Sequence, residues 1–446
     1  PPHQFSLVEG DSTYLVFQVE SAEAPIVLFD YSPSNPPPAF VTIRSLQSTN
    51  TPSSGLAILT LALNPLHDAA GNHRITLRTA SADGKSGSLD LDIMIEETPA
   101  LLATYWLAPV NGNWSQATKW SHGIPDADHV AVIDAQGSSA YTVTINAAVT
   151  TPGLVLNATN LTLTLGQDTT FNQPTEVRAG RLSIPGSRTL TVNNALANRG
   201  TVQIASRNNW TYLSGSGRLE NMGLLRIIPE GSLYERYAQI LIPVNIAAGA
   251  QLLVEANGFV QFAAGAPVTV SGTVDLRSDT RLDVSGDPRH DLSLLAGSQI
   301  VGQGTLRLFN SNRLMLEADT ILPLPLVLSE SSRISGPGLL KLLGTHTLAG
   351  PYDTRIEVPS GSTAVIISSS RATVLATNLL VQPGGTVRIP NGYNLTVNGV
   401  LTNAGTLQIA SRNNWTYLSG SGRLENMGML RIIPEGSLYE RYAQIL

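Results

Sequence analysis

Residues 203–241 recur as residues 408–446 with one difference, Leu224 against Met429. A chain that repeats 39 residues almost verbatim at an offset of 205 is built as an array of stacked units. Upstream the match is looser: G-R-L-S-I-P at 180–185 aligns with G-T-V-R-I-P at 385–390. The first copy runs on through I-P-V-N at 242–245, whereas the second stops at Leu446. The expectation is therefore a piece of a longer array.

A shorter period sits inside the long one. The pattern L-x-N-x-G-x-[VL]-x-I occurs at 196–204, 219–227, 401–409 and 424–432. Related pieces are G-T-V-D-L at 272–276, G-T-L-R-L at 304–308 and G-L-L-K-L at 338–342. Each reads as a short strand with alternating apolar residues, entered through an Asn or Gly turn. One coil cannot bury its own inward row of Leu, Ile and Val; coils stacked at about 4.8 Å form a continuous core and pair every backbone group. Asn and Gly suit the corners, where positive φ is common. Helical periodicity is nearly absent. The expected fold is all-β, with a right-handed parallel β-helix over 130–446 and repeat copies near 180–241 and 385–446.

Residues 1–98 differ. Strand-like runs at 14–19, 26–29, 40–43, 57–63, 75–78 and 89–95 are separated by turn residues. That spacing predicts an antiparallel sandwich of immunoglobulin type. Residues 99–129 then read as a linker and opening segment.

Composition bounds the function. Of 446 residues, 42% are hydrophobic, enough to bury a core. Only 13% are charged, and the net charge is −6. That balance, with three lysines and no basic run, argues against nucleic acid. No apolar run is long enough to span a bilayer. With no cysteine, disulfides, thiolate metal sites and cysteine nucleophiles are excluded.

The segment 105–134 carries G-x-W…A-x-x-W-S-x-G-x-P-x-x-D-x-x-x-x-I. Together with the L-x-N-x-G coils it resembles the start of β-solenoid passengers in bacterial autotransporter-like and filamentous-haemagglutinin-like surface proteins. The piece at 66–77 resembles the Ig-like modules of large bacterial surface proteins. This resemblance implies an extracellular or cell-surface location, a rod-like form of roughly 70 Å for about 14 coils, and a structural or adhesive role. The implied partners are copies of the same chain, end to end or laterally, and cell-surface glycans or proteins. Open solenoid ends expose unpaired strands, which favours head-to-tail filaments.

Three constellations are candidates for chemistry. The aromatics of the repeat, Trp210, Tyr212, Tyr234, Tyr237, Trp415, Tyr417, Tyr439 and Tyr442, offer either a stacking surface for sugars or proteins, or packing at coil corners. Asp275, Asp279 and Asp283, with Asp287 and Asp291 beyond them and Arg277, Arg281 and Arg289 between, read as a solvent row able to hold Ca²⁺ or to serve a polysaccharide-cleaving site, or else as a solubilising charged exterior. His122 and His129 flank Asp126 and Asp128, and this group reads as a capped turn rather than a metal cluster. Sequons at Asn113, Asn157, Asn160, Asn209, Asn394 and Asn414 carry no weight in a Thr- and Asn-rich β protein. No catalytic residue and no cofactor beyond a structural Ca²⁺ is expected. The leading expectation is a structural or adhesive segment, not an enzyme; the rival is a carbohydrate-binding or polysaccharide-degrading β-helix.

Overall fold

The computed structural model describes all residues except 1–2, 9–12, 32–36, 39, 52–53, 64, 66–68, 97–101, 208–209, 232–236, 264–265, 287–290, 368–372, 376, 413–414 and 436–442. The chain divides into two compact units. One comprises Pro1–Leu163, Thr170–Gly180 and Val192–Ala197; the other comprises Thr164–Thr169, Arg181–Thr191 and Asn198–Leu446.

The first unit begins with seven strands: β1 (His3–Val8), β2 (Thr13–Ser21), β3 (Ile26–Tyr31), β4 (Val41–Thr51), β5 (Ser54–Leu63), β6 (Gly71–Ser81) and β7 (Ser86–Glu96). They form two sheets, ordered β1-β7-β6-β3 and β2-β5-β4. Alternation drives the layering. Along β5 every second residue points inward, and Leu59, Leu61 and Leu63 are fully buried. They meet Ile75 and Leu77 of β6 and Leu91, Ile93 and Ile95 of β7 in one core. Each such side chain contributes about 1.5–3 kcal/mol on burial. All six anticipated strands are present. The departure from a purely antiparallel arrangement is β1, which runs parallel to β7 with His3 opposite Leu91.

From residue 102 the chain winds as a parallel β-solenoid of about 14 turns. Winding starts inside the opening segment: Leu102–Tyr105 pairs in parallel with His129–Ile133. Three tryptophans explain why so short a stretch holds its shape. Trp106, Trp114 and Trp120 are each at most 3% exposed. Trp120 packs edge-on against both others at 5.1 and 4.9 Å, and its Nε1 donates to Trp114 O across 2.9 Å.

In the second unit each turn has three strands, and each strand pairs with the third one after it except at Gln299–Gly302, which has no ladder to Thr320–Leu322. Thr201–Arg207 lies on a first side, Thr211–Ser214 on a second and Arg218–Asn221 on a third; Leu224–Glu230 then pairs residue for residue with Thr201–Arg207. The second side is an uninterrupted 13-stranded sheet. The first side leaves its 23-stranded sheet after Gln299–Gly302 and continues as a six-stranded one from Thr320–Leu322. Inward positions are mostly aliphatic: Leu252 and Val254, Leu306 and Leu308, and Leu314 and Leu316 are all within 1% of complete burial. Several corners use left-handed backbone at Asn257, Asp279, Asn310 and Ser311, residues short and polar enough to tolerate it.

No helix among the described residues is long and apolar enough to cross a membrane.

Candidate contact surface

On the second side, register places one outward position of four successive turns in line. Thr211 pairs with Ala238, Ala238 with Val260, and Phe259 with Arg281. The residues at or just before the starts of those strands therefore stack as Trp210, Tyr237, Phe259 and Arg281. Trp210 and Tyr237 lie nearly parallel with centroids 5.8 Å apart. Tyr237 meets Phe259 at 5.7 Å, and the Arg281 guanidinium sits 5.0 Å from the Phe259 centroid. Turn spacing near 4.8 Å is what brings rings of adjacent coils into stacking range.

Two residues further along the same strands runs a polar row. Gln239 donates to Gln261, and Gln261 donates to Ser285 Oγ across 2.5 Å. Asp283 follows, only 5% exposed although it sits on the outer row, with Arg307 Nε 3.6 Å away. Arg307 also lies 4.5 Å from the Phe309 ring centroid. The Tyr237 hydroxyl belongs to this group. Burial, then the Asp283 carboxylate, holds its proton on above the ordinary phenol range, with Arg281 and Arg307 opposing. Aromatic stack and charged cluster thus form one continuous strip over five turns.

The repeat aromatics divide accordingly. Trp210 and Tyr237 come together as described, and both are half-buried. Tyr212 is half-buried on the strand beside them. In the second copy Trp415 lies against Tyr417, centroids 6.3 Å apart and rings 16° from parallel. Tyr234, Tyr439 and Tyr442 lie outside the described residues.

The acidic row is not one row. Asp275 sits on the first side, 8% exposed and paired with Arg277 across 3.0 Å. Asp279 is at the corner with φ 55°. Asp283 is on the second side. The corner turns the chain between them, so the period-two argument, valid within a strand, fails across it. Asp291 pairs with Arg313, Nε to Oδ1 2.9 Å, while Asp287 and Arg289 lie outside the described residues. Among the described residues no three His, Asp or Glu side chains gather as a metal group.

The turn near His122 is as expected. Asp126 Oδ1 accepts the Asp128 amide at 3.0 Å and lies 2.7 Å from His129 Nδ1. The His129 contact, then the backbone amide, lowers the Asp126 pKa.

The Phe259–Arg281–Asp283–Arg307 portion was not anticipated as partner to the repeat aromatics. Only the stacking register links Tyr237 to residues more than forty positions on, and local sequence does not carry that register. No family model and no curated protein matches this chain.

Proposed function

We propose that this chain is a structural and adhesive segment of a long, repetitive, extracellular bacterial surface protein, in which the solenoid supplies rigid length and its outer strips supply contacts. The observation that carries this reading is the reuse of one block, with several of its hydrogen bonds repeated, along a single stack of coils. Adding coils adds length and surface without needing a new core. The seven-strand sandwich fits an Ig-like module. Its β7-β6-β3 and β2-β5-β4 sets match the GFC and BED strands of that fold, with β1 transferred to the edge beside β7. Right-handed winding follows the general rule for parallel crossovers.

Negative-stain imaging of purified chain tests the mechanical part: stiff rods that lengthen with concentration are expected, and compact particles at every concentration would overturn it. For the adhesive part, the Trp210→Ala and Trp415→Ala double variant is expected to lose surface binding.

A polysaccharide-cleaving β-helix is the second reading. It rests on the buried Asp283 beside Arg307 and Tyr237. Cleavage of any acidic polysaccharide, with or without Ca²⁺, that disappears in Asp283→Asn would select it.

A further inference from the structure

The two copies of the repeated block do not lie on the same sides of the solenoid. Thr201–Arg207 belongs to the 23-stranded sheet, and its copy Thr406–Arg412 to the 13-stranded one. Thr211–Ser214 belongs to the 13-stranded sheet, and its copy Thr416–Ser419 to the 23-stranded one. Arg218–Asn221 and Arg423–Asn426 are likewise in different sheets. Along the 13-stranded sheet, Thr211–Ser214 and Thr406–Arg412 are nine strands apart. The 205-residue offset is therefore nine turns plus one side. It turns the block by a third of a revolution and moves it about 45 Å along the axis at 4.8 Å per turn.

Local structure survives this rotation. Asn198 bonds Asn221, and Asn403 bonds Asn426. Gly186 N donates to Glu230, and Asn391 N to Glu435. Arg218 pairs with Glu220, and Arg423 with Glu425. The block carries its own fold to whichever side it occupies.

Its outward side chains survive too, and its flank behaves differently. Between 180–202 and 385–407 only 11 of 23 positions agree, and eight of the 12 differences fall at half-buried or exposed positions of the first copy. Core residues such as Ile184, Leu190, Val192 and Leu196 are kept. A spacer needs only its inward residues. From 203 onward the outward ones are kept as well.

We infer that the block is a contact module for one kind of partner, presented twice in directions a third of a turn apart, so that the chain bridges two partner molecules instead of gripping one flat surface twice. This rests on the adhesive reading above. The module's chemistry selects the partner. Among its described residues the carboxylates are engaged: Glu220 and Glu425 by arginines, Glu230 by a backbone amide, and Glu435 by a backbone amide and Arg388. The outward positions of the first copy then present the Trp210, Tyr212 and Tyr237 rings beside Ser214, Ser216 and Gln239, with Arg218 and Arg226 paired to Glu220 and Glu255 and the apolar Met222, Leu224 and Ile228 half-buried. That combination suits the C–H faces and hydroxyls of a neutral polysaccharide. Two sites that cannot reach one surface together gain no avidity on it, yet they can link two surfaces.

The test uses the full chain and beads of a neutral β-1,4-glucan. Wild type is expected to bind and agglutinate them. Trp210→Ala with Tyr212→Ala, or Trp415→Ala with Tyr417→Ala, should leave bead binding within about two-fold but abolish agglutination; all four together should abolish binding. If the Ala variants lose their fold by circular dichroism, Trp210→Phe and Trp415→Phe keep a ring and should weaken binding several-fold. Binding without agglutination by wild type, or agglutination by a chain with one intact copy, would overturn the bridging geometry alone. Undiminished binding by the four-fold variant would overturn the contact reading itself. Self-association that ignores glucan would make the partner a second copy of this chain and overturn the glycan assignment.

Discussion

The Asn198 side-chain amide donates to Asn221 Oδ1 across 2.6 Å, one turn further along the solenoid, and also to Leu224 O at 3.0 Å. Asn221 in turn donates to Gly223 O and Gln251 O. These asparagines are the N of the L-x-N-x-G pattern. They point inward at a corner and, being buried, place their amides on backbone carbonyls there, Gly223 O also accepting the Gln251 amide. Asn221 is fully buried, whereas its copy Asn426 is exposed and donates to Gly428 O at 3.3 Å. Replacing Asn221 by Ala strands several buried groups at about 1–3 kcal/mol each. Urea unfolding should therefore show Asn221→Ala losing about 2–4 kcal/mol and Asn426→Ala under 1; equal losses would refute the role given to burial.

The G of the pattern has a different cause. A Cβ on Gly223 would stand 2.5 Å from Gly200 O and 2.6 Å from the Arg199 carbonyl carbon and oxygen of the preceding turn. These are backbone atoms held in register by the ladder, so they cannot give way. Gly361 needs glycine for conformation alone, having φ +75° and open space around its Cβ position. Gly223→Ala should cost about 3 kcal/mol through overpacking, against about 1–2 kcal/mol for Gly361→Ala. Thermal unfolding of the two variants separates the mechanisms.

These two positions show how much of the fold was legible. Alternating apolar residues, Asn and Gly corners and the internal period are local signals, and they announce a coil whose neighbours resemble it. The count of three strands per turn is set by where corners fall, and short corners such as 277–280 look like continuations of a strand. That is why Asp275, Asp279 and Asp283 read as one row when they straddle a bend. The parallel β1–β7 pairing was hidden for a related reason, since pairing partners 88 residues apart leave no mark on either segment. The aromatics of the repeat were visible as residues, but which rings meet depends on inter-turn register.

His346 gives a pH dependence. It is 1% exposed and faces the core. Its Nδ1 accepts the Leu326 amide at 3.3 Å, and its Nε2 lies 3.0 Å from Leu343 O, an arrangement that fits the neutral ring. Burial lowers its pKa below the ordinary 6.5, partly opposed by the Leu343 carbonyl. Because the folded value is depressed, the unfolded chain takes up the proton first. The contribution of His346 to stability is present above about 6.5 and lost as pH falls below it. Denaturation midpoints from pH 7.5 down to 5 should decline in wild type and decline less in His346→Gln. Parallel curves would show that another group drives the loss.

Tyr237 supplies the opposite sign. Its pKa is raised, chiefly by burial and next by the Asp283 carboxylate. A folded phenol that holds its proton above 10 stabilises the chain below that pH, and this contribution fades as pH climbs through the folded value. Asp283→Asn keeps the side-chain volume and removes the charge. The Tyr237 transition should then move down toward 10 without reaching it, because burial persists. Phenolate absorbance in an alkaline titration, with Tyr237→Phe subtracted to isolate the one ring among twelve tyrosines, reads the shift directly. A transition that does not move on removing the charge would mean that the two groups are not neighbours, and the strip from Trp210 to Arg307 would lose its central link.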